Sequence, residues 1–321
     1  MTPPLVSVCM PVYNGAVWIG EAIDSVLAQT MLNLELVVVD DNSSDDTMKV
    51  VRERADSRLR LVENQTTLGV VANHNRCIQL ARGQLIKFLH QDDILFSTCL
   101  ERMTDVFARH ITVGLCFTRR KVLLDDPADA DAVKWERTYA ILDRNFASLT
   151  TFNRGSALLD AYVPALRRPP IENWIGEPSA VMVRRSCFER TGLFNIKMRQ
   201  SFDVEMWLRI MAASDVGFVD EPVVAYRHHR RSLTNANARQ YADWLDLVWL
   251  YEGILRAPEL RRHSRAIKRF RRRELARTLK RQLGRVARGS TDPRPLADYF
   301  LYRAARIIRR DVEIHAALGD E

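Results

Sequence analysis

Cysteine is scarce: Cys9, Cys77, Cys99, Cys116 and Cys187 are the only five in 321 residues, and no two form a C-x-x-C pair. An odd count without metal-ligand spacing argues against a disulfide scaffold or a zinc ribbon, and predicts buried free thiols in a reducing compartment. Long apolar runs are missing too. None approaches the roughly 20 residues of a membrane span. Met1-Thr2-Pro3-Pro4 has no basic start, so neither a spanning helix nor a secretory leader is expected. There is no G-x-x-x-x-G-K-[S/T], and no G-x-G-x-x-G follows the first strand. Both absences speak against folds that cradle phosphate on glycine amides. No G-x-S-x-G nucleophile elbow occurs. His228-His229 alone is not a zinc motif, because neighbours on a strand point to opposite faces. No internal repeat is visible.

What is present suits one large globular domain, or a domain with an appendage: 47% of residues are hydrophobic and 27% charged. The net charge of +8 is unevenly placed. Between Arg256 and Arg288 stand 14 Lys/Arg against Glu259 and Glu274. The basic character therefore belongs to the tail.

Val6 to Val12 reads as a buried strand, with Pro11 tolerable only near its end or at an edge. Tyr13-Asn14-Gly15 is a turn. Trp18, Ile19, Ala22, Ile23, Val26 and Leu27 recur at helical spacing. Leu34 to Val39 is a second strand. The polar run Asp40 to Asp46 is a loop offering helix caps, with Asp45 and Asp46 read as caps rather than ligands. A helix through Val50 and Val51, a strand Leu59 to Val62, a helix after Gly69 closed by Arg82-Gly83, and a strand Leu85 to Leu89 follow. Four strand–helix alternations imply a parallel sheet wrapped by helices. Beyond a helix to Arg109 and a strand Val113 to Phe117, periodicity weakens. Asp125 to Asp131 reads as a loop, and residues 134–176 show scattered aromatics. Order returns with a strand at Ala180 to Val183, a helix from Asp203 and two short strands, Val216–Val219 and Val223–Tyr226. From about Tyr241 the pattern is helical.

Two strands end in paired carboxylates, Asp40-Asp41 and Asp92-Asp93. Ligands of α/β proteins bind where strand ends converge. Adjacent carboxylates there suit a hard divalent cation that completes its shell with phosphate oxygens. Alone, Asp92-Asp93 could equally be a helix cap and turn; the second acidic strand end favours a site. Without glycine-rich loops, a diphosphate here would lean on metal.

Pro11-Val12-Tyr13-Asn14, Val39 to Thr47, Gly69 to Asn75, Ala81-Arg82-Gly83 and Asp92-Asp93, in that order, resemble the inverting family-2 glycosyltransferases of GT-A fold. Glu177-Pro178-Ser179 with Val181 to Arg185, Asp203 to Arg209, and Tyr226 to Ser232 extend the resemblance over roughly residues 5–235. It implies a Rossmann-like, mostly parallel α/β sheet with flanking helices over residues 1–235, and a basic helical extension over 236–321. It implies transfer of a sugar from a nucleotide-sugar donor to an acceptor hydroxyl in polysaccharide or cell-surface glycan synthesis. Pro11, Val12 and Tyr13 would line the nucleobase pocket, Asp41 would bond the base and Asp92 the ribose. Asp93 would bind Mn²⁺ or Mg²⁺, with His229 helping to hold the metal or diphosphate. Asp203 would be the general base. Glu177 would lie near the acceptor or donor sugar. Three positions depart from the family pattern: Phe202 where Glu is usual, His74 where many have Arg, and Gln91 where an acid is common.

Trp174 suits either stacking on a sugar or packing in the core. Glu205 reads as a solvated carboxylate of the first helical turn. His228 reads as structural. In the tail, Ile267, Phe270, Leu275, Leu279 and Leu283 fall at near-helical spacing among arginines. That segment fits peripheral docking to a membrane presenting a lipid-linked acceptor, a solvated or oligomer-forming face, or, least well, nucleic acid. The expected location is cytoplasmic, at the inner face of the membrane. Two rival functions stand beside the transferase. A sugar-nucleotide-forming nucleotidyltransferase would need a glycine- and basic-rich loop after the first strand, which Tyr13-Asn14-Gly15-Ala16 does not supply. A binding protein would act through its basic tail alone.

Overall fold

The structure is a computed structural model that describes residues 3–126, 128–139, 141–167, 172–229, 232, 243–256, 260–261, 264–289, 297 and 300. Strands β1 (Val6–Val12) and β2 (Leu34–Asp40) are buried on both faces, which is why each reads as a nearly unbroken apolar run. With β3 (Leu59–Glu63) and β4 (Leu85–Phe88) they form a parallel set in the order β3-β2-β1-β4. Helices α1 (Ile19–Leu27), α2 (Thr47–Arg52) and α3 (Val70–Leu80) are the crossovers. Side chains alternate across the sheet. Val8, Met10, Leu36 and Val38 face α1, α2 and α4 (Cys99–Arg109), whereas Cys9, Val37 and Val39 face α3 and the later helices.

Pro11 costs the sheet nothing. The Leu89 N–H donates to the Cys9 carbonyl, so Cys9 and, by alternation, Pro11 face the β4 side. Pairing there ends at Cys9–Phe88, and the missing Pro11 donor breaks no ladder bond.

The second half continues the sheet with mixed pairing. β8 (Val181–Arg184) lies antiparallel between β4 and β6 (Val113–Leu124), and β9 (Asp215–His228) runs parallel to β6. Short β5 (Ile94–Leu95) and β7 (Phe152–Asn153) pair with β9. The two short strands expected at 216–219 and 223–226 are thus one. Asp220-Glu221-Pro222 looks like a turn in sequence, but it is absorbed as an irregularity where Arg119 faces Pro222. β6 runs seven residues past the expected Phe117. The aperiodic stretch holds α5 (Ala130–Tyr139), which begins inside the expected loop, and α6 (Gly155–Tyr162). Gly83 was read as a helix terminator. Its use is close approach: a Cβ there would lie 2.5 Å from the Ser7 nitrogen.

Helices α7 (Arg185–Thr191) and α8 (Phe202–Ala213) cover one face. Helix α9 (Asp243–Arg256) packs on α8, and its Leu247, Leu250, Tyr251 and Ile254 belong to the same buried cluster as Trp207 and Leu208. Helix α10 (Ser264–Ala287) follows. Of the described residues on its apolar stripe, Ile267 is enclosed, Phe270 packs on the core and Leu283 is half exposed. All five cysteines are buried and unpaired. Among the described residues no helix is long and apolar enough to cross a membrane. Tyr241, Arg230 and Arg231 lie outside the described residues.

Candidate active site

The carboxyl ends of β1, β2 and β4 share one edge, and their loops are stitched together. Asn14 N–H donates to Ser43 Oγ (2.9 Å), Ser44 N–H to Asn14 Oδ1 (2.9 Å) and Gly15 N–H to Thr47 Oγ1 (2.8 Å). Asp45 accepts from Thr47 and Ala16 N–H, the capping role expected of it. Gln91 clasps the first loop at two points: its Oε1 accepts from Tyr13 N–H (2.8 Å) and its Nε2 donates to the Tyr13 carbonyl (3.0 Å). A carboxylate could make only the first bond, which accounts for an amide at this position. Val12 is buried, Pro11 half-buried, and the Tyr13 side chain is half exposed beside them.

Asp41 is buried and already engaged. Its Oδ1 accepts from Asn64 Nδ2 (3.0 Å) and Leu68 N–H (2.8 Å), and its Oδ2 from Gly69 N–H (2.8 Å). It thereby anchors the turn that starts α3, where Gly69 has φ +91°. One Oδ2 lone pair remains.

Ligand atoms of His90, Asp92 and Asp93 lie within 4.8 Å of one another. Asp93 is buried, and its Oδ1 accepts the Arg227 N–H from β9 (2.9 Å). Its Oδ2, also buried, accepts no hydrogen bond. Desolvation, and then the neighbouring Asp92 charge, push its pKa up to about 8. A buried carboxylate oxygen with no donor, beside a second carboxylate and an imidazole, fits a divalent cation. His229, expected to help hold the metal or diphosphate, sits on Asp92: its Nε2 is 2.8 Å from Asp92 Oδ2, and its ring lies 4.1 Å from that of Trp18. Burial opposes ionisation of Asp92, but the His229 bond and His90 outweigh it and lower its pKa. Arg227 also donates from Nε to the Asp92 carbonyl (2.9 Å) and pairs with Glu21 (2.6 Å), tying the acidic turn to β9 and α1.

Beneath this turn lies an aromatic cluster. His74, fully enclosed, packs within 5.2–5.9 Å of the Phe88, His90, Phe194 and Phe202 rings. Burial pushes its pKa down to about 3, so it is neutral. Two departures from the family pattern, His74 and Phe202, are thus one packing unit. They carry the contact from α8 to the acidic turn.

Asp203 stands in the first turn of α8, 9% exposed. Its Oδ1 accepts its neighbour's Val204 N–H (2.8 Å) and its Oδ2 accepts Asn173 Nδ2 (2.8 Å). Burial pushes its pKa up to about 7, against those bonds and with help from the Asp246 charge. That is the range in which a carboxylate serves as base at neutral pH. Asn173 is itself clamped by both backbone groups of Gly176, whose carbonyl also accepts Trp207 Nε1 from α8.

Glu177 forms a buried ion pair with Arg120, whose guanidinium lies 4.9 Å from the Tyr226 ring centre. Trp174 is 8% exposed and stacks on Tyr162 at 4.6 Å, with Phe146 edge-on. Core packing, one of the two expectations for Trp174, is what its surroundings show. Glu205 is not solvated. It is buried, paired with Arg209 (2.7 Å) and overlain by Gly253 of α9, where a Cβ would lie 2.3 Å from its carboxylate.

The residue hardest to foresee is Asp246. This buried carboxylate on α9 accepts N–H bonds from Arg199 (2.9 Å), Gln200 (2.5 Å) and Ser201 (2.7 Å), the turn that launches α8. Nothing near residue 246 in sequence signals that contact. His90 carries a signal in sequence, a histidine three residues before an aspartate. Removing the Asp246 carboxylate leaves three part-buried backbone donors without their acceptor. Asp246→Ala is therefore expected to lower unfolding stability by about 2–4 kcal/mol, with Asp246→Asn milder, as urea titration would show. No loss in either variant would contradict the anchoring role.

Comparison with known proteins agrees with this geometry. Residues 7–174 match the family described as Glycosyl transferase family 2. The Mycobacterium tuberculosis (strain CDC 1551 / Oshkosh) protein MT1568, itself uncharacterised, is 36% identical over 251 residues, 77% of this chain and 76% of that one. The Escherichia coli UDP-Glc:alpha-D-GlcNAc-diphosphoundecaprenol beta-1,3-glucosyltransferase WfgD is 41% identical over 106 residues, 33% of this chain and 42% of its own. The mannosyltransferase PcManGT from Pyrobaculum calidifontis, solved in complex with GDP-Man and Mn²⁺, superposes with a TM-score of 0.55 at 20% identity, covering 96% of this chain and 81% of that one. This chain therefore belongs to glycosyl transferase family 2 and is a glycosyltransferase of GT-A fold.

Proposed function

We propose that the protein transfers a sugar from a nucleotide-sugar to an acceptor hydroxyl with inversion at the anomeric carbon, in polysaccharide or cell-surface glycan synthesis. The observation that carries this reading is the link between the His90–Asp92–Asp93 cluster and the buried Asp203, made through His74 and Phe202. Pro11, Val12 and Tyr13 line the nucleobase pocket, and the remaining Asp41 lone pair takes a base N–H. Asp92, braced by His229, faces the ribose. Asp93 holds Mn²⁺ or Mg²⁺, with His229 acting at one remove through Asp92. A cation there supplies positive charge for the leaving diphosphate. Asp203 takes the proton from the acceptor hydroxyl as it attacks. Glu177, fixed by Arg120, and Trp174 shape the sugar side from behind, as supports of the pocket wall. Lipid-linked diphosphate acceptors are the class that WfgD's name points to. The exposed Lys268, Arg269, Arg272, Arg277 and Lys280 of α10 suit docking to the anionic membrane that would present one.

A thermal-shift screen against UDP-, GDP- and dTDP-sugars with and without Mn²⁺ tests donor binding. One nucleotide class should raise the melting temperature only with the metal. Pyrophosphate release from a nucleoside triphosphate and a sugar phosphate would favour the nucleotidyltransferase instead.

The Asp203 pKa gives a pH signature. Below about 7 the carboxylate is protonated and cannot accept; above it the base is ready. At saturating Mn²⁺, log kcat/KM should therefore climb with unit slope to about pH 7 and level off. A profile flat down to pH 5 would exclude Asp203 as the base.

A further inference from the structure

We infer that His90 is a nitrogen ligand of the cation, its lone pair aimed by His74, and that the site therefore takes Mn²⁺-class ions in preference to Mg²⁺. The inference rests on the proposed cation site and adds a ligand and a selectivity to it. His74 Nδ1 lies 2.7 Å from the Val70 carbonyl, which can only accept, so Nδ1 carries the proton. His74 is enclosed by Phe88, Phe194 and Phe202, an apolar surround that disfavours the charged ring. Neutral His74 then offers a lone pair at Nε2. That atom lies 3.2 Å from His90 Nε2, so His90 must be the donor. Proton on Nε2 leaves the His90 lone pair on Nδ1, 3.7 Å from Asp93 Oδ2. Asp93 Oδ2 is the buried oxygen that accepts no hydrogen bond. With the Asp93 carboxylate ionised, two lone-pair atoms face each other at the acidic turn, an arrangement that a cation satisfies. An acceptor on the far ring nitrogen is the usual way a metal-binding imidazole has its tautomer fixed, and the His74 lone pair supplies that acceptor here. Carboxylates alone suit Mg²⁺, and imidazole shifts preference toward later divalent ions.

Pulsed EPR of Mn²⁺ bound to the intact protein reads the ligand directly. Wild type and His229→Asn should show coupling to one imidazole nitrogen, and His90→Asp should bind Mn²⁺ without it. In competition, the excess of Mg²⁺ needed to displace Mn²⁺ should fall about tenfold in His90→Asp. His74→Leu, checked for folding by its melting curve, should weaken Mn²⁺ binding about tenfold while the carboxylates remain. If His74→Leu does not fold, His74→Gln serves instead, since its amide oxygen restores an acceptor for His90 and should restore the coupling. Mn²⁺ bound without nitrogen coupling, or coupling that survives in His90→Asp and vanishes in His229→Asn, overturns the inference and leaves the carboxylate site standing. No Mn²⁺ bound at all overturns the cation site itself.

Discussion

Asp203→Asn is expected to lower kcat by about 10³-fold while nucleotide-sugar binding stays within a factor of a few. The carboxylate is positioned by two donors, Val204 N–H and Asn173 Nδ2, and each oxygen keeps a lone pair for a proton. An amide fills the same volume but cannot take the proton. It also turns an NH₂ toward one of those donors, so a small loss of order at the start of α8 should accompany the loss of turnover. The two effects separate cleanly. Calorimetric titration with donor and Mn²⁺ reports binding, and single-turnover kinetics report the chemical step. Near-normal turnover in Asp203→Asn would remove it from the mechanism. Phe202, where the family pattern has an acid, leaves Asp203 without a carboxylate beside it in sequence. The raised pKa is then mainly the work of burial, with Asp246 second among the causes that raise it.

The second large effect is expected at Asp93. Asp93→Ala should abolish the metal-dependent part of nucleotide binding, a loss of at least about 100-fold. It deletes the buried oxygen that has no donor and the acceptor of the Arg227 N–H that ties the turn to β9. The pH dependence has a definite sign. Because burial and Asp92 raise the metal-free pKa to about 8, the carboxyl is largely protonated at neutral pH and must lose that proton to bind a cation. Mn²⁺ affinity should therefore rise with pH through about 8, with close to one proton released per ion near pH 7. Calorimetry in two buffers of different ionisation heat counts that proton. Asp93→Ala should bind little Mn²⁺ and release none; an unchanged titration would end the assignment.

Much of this was legible before any coordinates. The four parallel strands announce themselves because each is a mostly apolar run, broken only by single polar residues such as Ser7, Glu35, Arg60 and Lys87, and each carboxylate pair stands at or just beyond such a run's end. The family resemblance singles out Asp41, Asp92, Asp93 and Asp203 from sequence. Local pattern could not say which groups touch. Asp41 spends three of its bonds on the turn before α3. His229 meets Asp92, 137 residues away in sequence. Glu205 reads as solvated, yet α9 covers it, and Trp174, which suits either of two roles in sequence, stacks on Tyr162. Asp246 supports the base helix from a segment that sequence alone assigns to a basic extension. Such contacts arise when helices pack, and a one-dimensional period carries no trace of them.

That packing bears on the tail as well. Arg271 of α10 pairs with Glu252 of α9, and α9 carries Asp246 to the start of α8. A protein cut after residue 235 should therefore lose stability and turnover together, whatever its membrane affinity. Salt-sensitive sedimentation with anionic vesicles tests the membrane role separately, and binding equal to that on neutral vesicles would dismiss it.

The central claim is direct displacement at the anomeric carbon. Proton NMR of the product formed from an α-linked nucleotide-sugar, with acceptor or with water as a slow substitute, reads it from the anomeric coupling. A β-configured product should appear first, formed only with metal and at least about 10³-fold more slowly by Asp203→Asn. An α-configured first product would contradict it.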